Sequence, residues 1–428
     1  MSVIVPAYAG AAALAAPGLR LWLARRVRHG KEWPERLAER WGSDGTPRPP
    51  GRLLWLHAAS IGETLSMLPV LAAFVAIVPD AAVLMTTGTV TSAELLGRRL
   101  PELGLSDRVL HRFVPLDVPA WVSRFLDHWR PDAAGFVESE VWPNLLLGCR
   151  RRSVPAMLVN ARLSARSFAR WRRVPGFAAT LFGAFACVQA QSPTDAERLV
   201  ALGARGVTAP GNLKFAALAL PVPAGELARL RARLAGRPVW LAASTHPGEE
   251  AIVLAAHDAL AARHAGLLTI IVPRHPQRGA EVAALAAGRP VARRSRDEAL
   301  PEAAGVWVAD TLGELGLLYA ATGIAFVGGS LVAHGGQNVL EPARLGCAVA
   351  IGPHAQNFAE PVAALAAAGA LTEVAGGAAL AAWVSTMLDD PPRRAAAAAA
   401  GQATASQHAA LPHLVAQTLA ALLTGGAS

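Results

Sequence analysis

The chain has 428 residues, which is too long for one ordinary hydrophobic core, so two domains of similar size are expected. Its 40 lysines and arginines against 31 aspartates and glutamates give a formal net charge of +9, yet only Lys31 and Lys214 are lysines. Basic and aromatic residues do not interleave and no nucleic-acid-binding motif is present, so no nucleic-acid partner is expected. The three cysteines are far apart and form no zinc-type cluster, which predicts neither a disulfide nor a structural metal.

The N-terminal segment, residues 1–28, combines an uncharged apolar stretch with basic residues that follow it. Residues 3–19 carry no charge but contain Pro6 and Pro17, and their length is marginal for a spanning helix. Because the arginines come after the apolar stretch, the pattern argues against a secretory signal and favours an anchor that leaves the following chain in the cytoplasm. An ordinary buried first helix is the alternative. The basic residues favour contact with an anionic membrane surface.

Beyond a proline-rich stretch at 45–50, strand-like apolar runs alternate with helix-like patterns in both halves of the chain. This alternation predicts an α/β fold with parallel sheets and crossover helices. A charged helix that ends at a glycine, residues 29–42, precedes the first sheet. Strands are predicted at 53–58, 82–87, 109–114, 133–137 and up to 159, and then at 238–243, 267–272, 306–309 and 324–327. The predicted domains are 29–215 and 237–428, joined by a linker at 216–236.

The end of the first strand carries a candidate functional residue, Glu63. Ser60, Gly62 and Glu63 follow the apolar run 53–58, and a strand end, a glycine and a helix start form the usual ligand site of open α/β sheets. Gly62 is expected to permit a close approach or an unusual backbone angle. Ser60 and Glu63 also have the spacing of a capping box, and on this pattern alone helix capping is the favoured interpretation.

Charged residues follow two further strands of the first half. Glu138 falls at a strand end, where a buried carboxylate should face an open site or pair with a cation. Arg162 and Arg166 follow the next strand and suit a carboxylate or phosphate on a substrate, with structural ion pairs as the alternative. Arginine supplies almost all of the basic residues, so Lys214 is interpreted as a position that requires a compact ammonium group. Chance is the equal alternative.

The second half ends several strands at polar or glycine-rich segments, of which residues 328–341 carry the strongest signal for a nucleotide. Glycines ahead of a helix leave backbone amides free, and a helix N-terminus favours a phosphate. Glu341, one turn into that helix, is placed to hold ribose hydroxyls. A tight turn is the alternative interpretation. Because four strand ends converge on the same edge, a ligand site is preferred.

Six segments in order, and the opening GKEWPERLAERWG, resemble the 3-deoxy-D-manno-octulosonic acid (Kdo) transferase family. The six are HAASIGE at 57–63, FVESEVWPN at 136–144, NARLSARS at 160–167, GNLKF at 211–215, PRHPQR at 273–278 and NVLEPA at 338–343. The resemblance implies the GT-B architecture, in which two Rossmann-like domains face each other across a cleft, with the acceptor on the N-terminal and the nucleotide on the C-terminal side. It further implies transfer of Kdo from CMP-Kdo to the lipid A precursor, lipid IVA, at the cytoplasmic face of the inner membrane.

The same resemblance assigns roles to individual residues. Glu63 is implied to be the general base, and Glu138 and Lys214 match positions that support the transition state. The segments implied to contact CMP contain Pro273, Arg274, Gly313, Glu314, Leu315, Asn338, Val339, Leu340 and Glu341. Ser60, Gly62, Arg162 and Arg166 are candidates for binding substrate. No metal or other cofactor is expected, and the sequence indicates no oligomeric state.

The chain departs from the family pattern at two places. Family members usually carry a histidine and a proline around the asparagine where this chain has Gln337 and Val339, so a contact of that histidine is not carried over. An acidic residue that often follows GNLKF is replaced by Ala216 and Ala217. Three competing functions remain: a GT-B transferase that uses a UDP-sugar, a sugar-nucleotide epimerase with the same fold, and a membrane-bound scaffold of that fold without turnover.

Overall fold

The computed structural model describes residues 3–216, 220–234 and 236–425, which divide into two compact units. The first unit comprises Met1–Ala217 and His408–Ser428, and the second comprises Leu218–Gln407. Some residues of the predicted segments lie outside the described residues. These are residues 1 and 2 of the anchor, residues 217–219 and 235 of the linker, including Ala217, and residues 426–428 of the second domain. Each unit contains a seven-stranded parallel sheet, which confirms the predicted α/β class and the two Rossmann-like units of the GT-B architecture.

The sheet of the first unit has the strand order β3-β2-β1-β4-β5-β6-β7. Its strands are β1 Leu53–Ala58, β2 Ala82–Thr87, β3 Val109–Phe113, β4 Ala133–Val137, β5 Ala156–Ala161, β6 Cys187–Ala190 and β7 Val207–Thr208. The helices are α1 Ile4–Arg28, α2 Ile61–Ile77, α3 Val90–Glu102, α4 Pro119–Trp129, α5 Pro143–Arg151, α6 Ala165–Trp171, α7 Pro175–Phe182 and α8 Pro193–Ala201. Because the chain fills the sheet outward from β1 and then from β4, the topological switch point lies between these two strands.

The first unit also contains two 3-10 helices, at Pro34–Trp41 and Leu213–Ala216. The predicted charged helix at 29–42 is therefore a 3-10 helix over its second half, and it ends, as predicted, at Gly42, whose φ of 71° is left-handed. A side chain could not replace this glycine, because a Cβ atom would lie 1.9 Å from the carbonyl oxygen of Trp121.

The sheet of the second unit has the order β10-β11-β9-β8-β12-β13-β14. Its strands are β8 Val239–Thr245, β9 Leu268–Pro273, β10 Val291–Arg293, β11 Gly305–Val308, β12 Ile324–Val327, β13 Ala348–Ile351 and β14 Leu371–Glu373. The helices are α9 Ala224–Leu234, α10 Glu249–Ala261, α11 Gly279–Leu285, α12 Leu315–Thr322, α13 Leu340–Arg344, α14 Ala359–Ala367, α15 Gly377–Asp389 and α16 Pro391–Ser406. Short 3-10 helices lie at Pro276–Arg278, Arg294–Arg296 and Gln356–Phe358. Here the switch point lies between β8 and β12.

The last helix, α17 at Leu411–Thr424, belongs to the first unit. Leu419 covers the first sheet so closely that a Cβ atom on Gly135 would lie 3.3 Å from its Cδ2, and Gln189 Nε2 donates to Thr418 Oγ1 at 3.2 Å. The prediction of one continuous domain at 237–428 is therefore wrong for residues 408–428. The predicted linker is also wrong from residue 218 onward, because this stretch contains α9 and belongs to the second unit.

The cores consist of parallel strands that are mostly apolar and buried, because helices cover both faces of each sheet. All six residues of β1 are buried, and Trp55 packs against Phe125 and Phe136 with ring centroids 4.9 and 5.1 Å apart. Trp240, Ile271 and Phe326 are buried in the corresponding core of the second unit. Polar residues at the carboxyl ends of these strands therefore extend from a rigid base.

Candidate active site

The carboxyl ends of β1 and β4 carry three glutamates of the first unit. These strands pair in parallel at the switch point, with His57 opposite Phe136, so the segments that follow them emerge side by side. Glu63 follows β1, and Glu138 and Glu140 follow β4. The structure therefore brings together two of the residues predicted from the sequence and one that the prediction left out.

Glu63 lies in the first turn of α2 and takes part in a capping box. Ser60 Oγ accepts a hydrogen bond from the Glu63 amide at 3.3 Å and donates to Glu63 Oε1 at 2.8 Å, while the Ala59 amide donates to Oε2 at 2.8 Å. The capping interpretation is thus confirmed. A carboxylate has lone pairs for about four hydrogen bonds, so capping leaves it able to accept a proton.

The surroundings of Glu63 favour its protonated form. Burial raises the pKa of its carboxyl above the ordinary value, and the negative charges of Glu138 and Glu140 raise it further. The hydrogen bonds from Ser60 and the Ala59 amide oppose this shift without cancelling it. A carboxylate with a raised pKa is a stronger base, which is what proton abstraction from a neutral hydroxyl requires.

Gly62 has neither a positive φ nor a close neighbour. It lies within α2, and a Cβ atom placed on it would have nothing within 4 Å. The expectation of an unusual backbone angle is therefore wrong, because an ordinary helical turn continues through this residue. The open space beside it leaves the surface of this turn accessible.

Glu138 pairs with Lys214, as a carboxylate at a buried strand end requires. Lys214 Nζ lies 2.7 Å from Glu138 Oε1, and the two side chains are 32% and 12% exposed. Glu138 has a left-handed φ of 56°, and its amide donates to Val159 O at 2.9 Å. Because non-glycine residues seldom adopt this backbone conformation, the turn after β4 holds the carboxylate in an uncommon, fixed orientation.

Glu140 was not predicted, although it lies in the same FVESEVWPN segment. Its Oε2 lies 3.4 Å from His57 Nε2 and accepts a hydrogen bond from Trp142 Nε1. Burial alone would raise the pKa of Glu140, but the contacts with His57 and Trp142 outweigh it and lower the pKa. Glu140 thus stays charged beside Glu63. The available signal was its position two residues beyond Glu138, one step further along the same strand end.

The two predicted arginines lie further along the same edge. Arg162 follows β5, is exposed, and its amide donates to Glu138 O at 3.4 Å. Arg166 is exposed on the first turn of α6, whose cap is Ser164. Only Arg162 is joined directly to the Glu138 turn, through its backbone.

In the second unit, Pro273 and Arg274 follow β9 next to the switch strand β8. Pro273 is the buried last residue of that strand, and the Arg274 amide donates to Thr245 O at 2.9 Å. The Arg274 side chain is exposed, and its guanidinium has no hydrogen-bond acceptor among the described residues of this unit. Of the predicted nucleotide-binding residues, Arg274 therefore offers the most accessible positive charge.

In the segment 313–315 the charged side chain is already paired within the protein, unlike that of Arg274. Gly313 has a φ of 83°, Leu315 begins α12, and between them Glu314 accepts hydrogen bonds from Arg294, the shortest at 2.7 Å. The bonds from Arg294 and from Thr311 hold the pKa of Glu314 below its usual value. Glu314 is thus already neutralised by the protein, so a nucleotide at this segment would meet mainly backbone atoms.

In the segment 338–341 the polar side chains form hydrogen bonds, whereas the apolar side chains are buried. Asn338 Nδ2 donates to Glu341 Oε1 at 3.1 Å, and Asn338 Oδ1 accepts from the Leu340 amide at 3.0 Å. Val339 and Leu340 are 0% and 1% exposed, so their side chains belong to the core. The expected helix begins at Leu340 and is five residues long, so its dipole offers little to a phosphate.

The glycine-rich stretch after β12 does not leave its amides free, contrary to the prediction. Glu249 is 0% exposed, and its carboxylate accepts hydrogen bonds from the amides of His246, Gly329, Ser330 and Leu331 at 2.9, 2.6, 2.9 and 2.8 Å. One buried carboxylate therefore ties the end of β8 to the end of β12. Glu249 was not among the candidate residues predicted from the sequence.

Imidazoles that were not predicted lie beside this loop. The rings of His246 and His334 have centroids 3.8 Å apart, and His275 lies 6.3 Å from His246. Burial lowers the pKa of His246, and electrostatic interactions with His334 and Arg274 lower it further. Gln337 Nε2 lies 3.1 Å from His246 Nε2, so the residue that departs from the family pattern binds within this cluster. Within the ranges that the structure describes, no three His, Cys, Asp or Glu side chains are arranged to hold a metal.

Comparison with known proteins gives a consistent result across most of the chain. Residues 31–217 match the family model described as 3-Deoxy-D-manno-octulosonic-acid transferase (kdotransferase). The chain is 37% identical over 359 residues to a probable 3-deoxy-D-manno-octulosonic acid transferase, mitochondrial, from Arabidopsis thaliana, covering 81% of this chain and 78% of that protein. It is 36% identical over 332 residues to the 3-deoxy-D-manno-octulosonic acid transferase of Haemophilus influenzae, covering 76% and 77%.

Among solved structures, the chain resembles UDP-GlcNAc 2-epimerase from Neisseria meningitidis bound to UDP-GlcNAc. The match has a TM-score of 0.53 and 14% identity, and it covers 86% of this chain and 100% of the epimerase chain. At this identity the likeness concerns the fold alone, and it agrees with two Rossmann-like units in one chain.

Proposed function

Because the chain belongs to the 3-deoxy-D-manno-octulosonic acid transferase family, we propose that it transfers Kdo from CMP-Kdo to a lipid A precursor, with Glu63 as the general base. The observation that carries the proposal is the Glu63 carboxylate, whose pKa is raised at the switch point of the first unit beside the Glu138–Lys214 pair. Glycosyl transfer itself is the activity that the family's members are named for.

The chemistry follows from the weakness of the nucleophile. A sugar hydroxyl of the acceptor attacks the anomeric carbon of Kdo, and its proton passes to the Glu63 carboxylate as the new C–O bond forms. The bond from the anomeric carbon to the phosphate oxygen breaks at the same time, and CMP leaves with the electron pair. One base on the face opposite the leaving group suffices, so the stereochemistry inverts. No metal is required in this scheme.

Lys214 and Glu138 supply fixed charge next to the base. An ammonium 2.7 Å from a carboxylate that is 12% exposed acts in a poorly solvated site, where electrostatic interactions are stronger than in water. We propose that Lys214 stabilises negative charge on the donor during transfer and that Glu138 fixes the ammonium. Arg274 and the imidazoles of the second unit are proposed to bind the CMP phosphate.

An amphiphilic acceptor suits the surface around Glu63. Ile61 and Leu65 lie on the same two turns of α2 and are 42% and 44% exposed, and Trp142 beside Glu140 is 43% exposed. Exposed apolar side chains that rim a polar site favour a ligand with both characters. We propose that these residues contact the apolar part of the lipid A precursor while Arg162 and Arg166 face its anionic groups.

The direct test is incubation of the full chain with CMP-Kdo and tetra-acylated lipid A precursor, with the products measured by mass spectrometry. We expect a product heavier by Kdo, formed with CMP-Kdo and absent when UDP-GlcNAc replaces it. Product with UDP-GlcNAc alone, or none with CMP-Kdo, would contradict the proposed donor. The same assay with a de-acylated acceptor tests whether the apolar part contributes to binding.

A change in pH dependence is expected for Glu140→Gln. A general base works only when deprotonated, so kcat falls as the pH falls through the pKa of Glu63. The charge of Glu140 raises this pKa, so removing it should lower the pKa and move the acidic limb of the kcat–pH profile to lower pH. Glu102→Gln, an exposed glutamate of α3, is the control and should leave the limb in place. If the acidic limb of Glu140→Gln stays in place or moves to higher pH, the charge of Glu140 does not raise the pKa of the general base.

The membrane contact is proposed from helix α1, which is long and apolar enough for a span by length and composition. One side of this helix is nonetheless docked on the first unit. Tyr8 Oη donates to Asp117 Oδ2 at 3.0 Å, Leu23 is fully buried, and the Arg20 guanidinium lies 5.4 Å from the Trp41 ring centroid. A helix held along its length by protein presents only its other side to lipid. We therefore propose that α1 lies in the membrane surface rather than across the bilayer.

Substitutions on the free side of α1 should reduce membrane binding without unfolding the protein. Leu14 and Leu21 are 85% and 75% exposed, and burial of one leucine side chain contributes about 2 kcal/mol. Leu14→Ser with Leu21→Ser is expected to weaken binding to vesicles containing anionic lipid by at least about tenfold, with an unchanged thermal midpoint. The matched control on the docked side, Leu23→Ala, should instead lower the unfolding free energy by about 2–5 kcal/mol. Full vesicle binding by the double variant would place the contact elsewhere.

A further inference from the structure

The end of β5 carries a buried asparagine, Asn160, whose side chain holds the loop that contains Lys214. Asn160 is 2% exposed and has a left-handed φ of 52°. Its Oδ1 accepts from the Leu213 amide at 2.9 Å, and its Nδ2 donates to Asn212 Oδ1 at 3.3 Å. Its own carbonyl accepts from Gln191 Nε2 at 3.0 Å. The side chain thus uses its acceptor and its donor on two consecutive residues of that loop.

Few residue types could take this place. Aspartate accepts but does not donate, and hydrophobic residues do neither. Asparagine is also among the few non-glycine residues that adopt a left-handed backbone without much strain. The sequence pattern NARLSARS marked this strand end, but the arginines drew the functional prediction. The structure assigns the strand end a second polar role.

The loop is held from two further directions. Asn212 Oδ1 also accepts from the Lys214 amide at 3.0 Å, so the amides of residues 213 and 214 are both fixed by asparagine oxygens. Gly211 has a φ of 122°, and a Cβ atom there would lie 2.3 Å from His408 Nδ1, so the start of the loop fits closely against its neighbour. The backbone at residue 214 therefore has little freedom.

This matters because a lysine side chain is flexible. Four methylene groups separate the ammonium from the backbone, and a long side chain reaches one fixed position only if its Cα is itself fixed. Lys214 Nζ lies 2.7 Å from Glu138 Oε1, and the Glu138 amide in turn donates to the carbonyl of Val159, the residue before Asn160. Both partners of the ion pair are thus held by consecutive residues of β5.

We propose that Asn160 is a positioning residue for transfer, which places the Lys214 ammonium against Glu138 by fixing the backbone of residues 212–214. The inference rests on the proposed role of Lys214 in the reaction. Asn160 touches no reacting atom in this scheme. Its effect on rate should therefore disappear when Lys214 is absent.

A double-mutant cycle tests this dependence. Asn160→Gly removes the side chain and tolerates the left-handed φ, and Lys214→Met removes the ammonium while keeping the apolar stem. We expect Asn160→Gly to lower kcat by about 10- to 100-fold, because small misplacements of a reacting group have effects of this size. The KM for CMP-Kdo should stay within about twofold, because binding of the ground state does not use this contact. The double variant should be no slower than Lys214→Met.

Asn144→Ala provides a matched control. Asn144 is a buried asparagine of the same unit whose Nδ2 donates to Asp117 O at 2.6 Å, and its loss should lower the thermal midpoint without lowering kcat. If Asn160→Gly gives no folded protein, Asn212→Ala takes its place in the cycle with the same expectation. A wild-type kcat for the variant, or losses that multiply in the double variant, would overturn the inference. A wild-type kcat for Lys214→Met would instead overturn the proposed role of Lys214 itself.

Discussion

Glu63→Gln is expected to bind CMP-Kdo with an unchanged dissociation constant and to transfer Kdo about 1,000-fold more slowly, within the range that a general base contributes. Glutamine has nearly the same shape and can still accept a hydrogen bond from the Ala59 amide, so α2 should keep its start. It cannot take a proton from the acceptor hydroxyl. Equilibrium binding by calorimetry and single-turnover transfer rates measure the two effects separately.

The control for this variant must separate capping from catalysis, because Glu63 takes part in a capping box. Asp195 occupies the same position in α8, where it accepts hydrogen bonds from Ser192 Oγ and the Leu163 amide. Asp195→Asn should lower stability by about 1 kcal/mol and leave the transfer rate near that of the wild type. Near-normal transfer by Glu63→Gln would show that Glu63 acts only as a helix cap.

Arg274→Ala is expected to weaken binding of CMP by about 10- to 100-fold. The guanidinium is exposed, has no acceptor in the described part of the second unit, and follows the strand beside the switch point. A hydrogen bond between charged groups contributes about 1.5–3 kcal/mol, which corresponds to this range of affinity. Calorimetric titration with CMP gives the dissociation constant.

The salt dependence of the same titration adds a second measurement. Binding to the wild type should weaken as ionic strength rises, and the Arg274→Ala variant should show a smaller dependence, because one charge contact is missing. Arg263→Ala is the matched control, since this arginine of the same unit is 67% exposed and 3.9 Å from its nearest carboxylate. An unchanged dissociation constant for Arg274→Ala would show that the nucleotide does not bind at the end of β9.

The sequence predicted the central strands well because they are continuous apolar runs. β1, β2, β4 and β12 have the predicted bounds. The short strands β6, β7, β10, β13 and β14 were not predicted, and they lie towards the outer parts of the sheets. These short outer runs carry too little periodicity to stand out from their surroundings, and pairing with a neighbouring strand defines them.

The site was predicted unevenly for a similar reason. A charged residue after an apolar run is visible in a sequence, and Glu63, Glu138 and Arg162 were found in this way, whereas Arg274 was assigned through the family resemblance. The pairing of Glu138 with Lys214, 76 positions later, depends on the course of the chain. Glu249 was not found, because an acidic residue in a first helical turn is common and only the fold gathers four amides around it. The functional roles assigned to these residues stay predictions.

The return of α17 to the first unit affects how the protein reaches its folded state. Domains generally fold as units during synthesis, the N-terminal one first. Here the side of the first sheet that meets Leu419 stays uncovered until the ribosome has added residues 411–424. The second unit, which is complete at residue 407, can therefore close its core before the unit that precedes it. The nascent chain is then expected to complete the second unit first and to bring Glu63 and Glu138 into their final positions last.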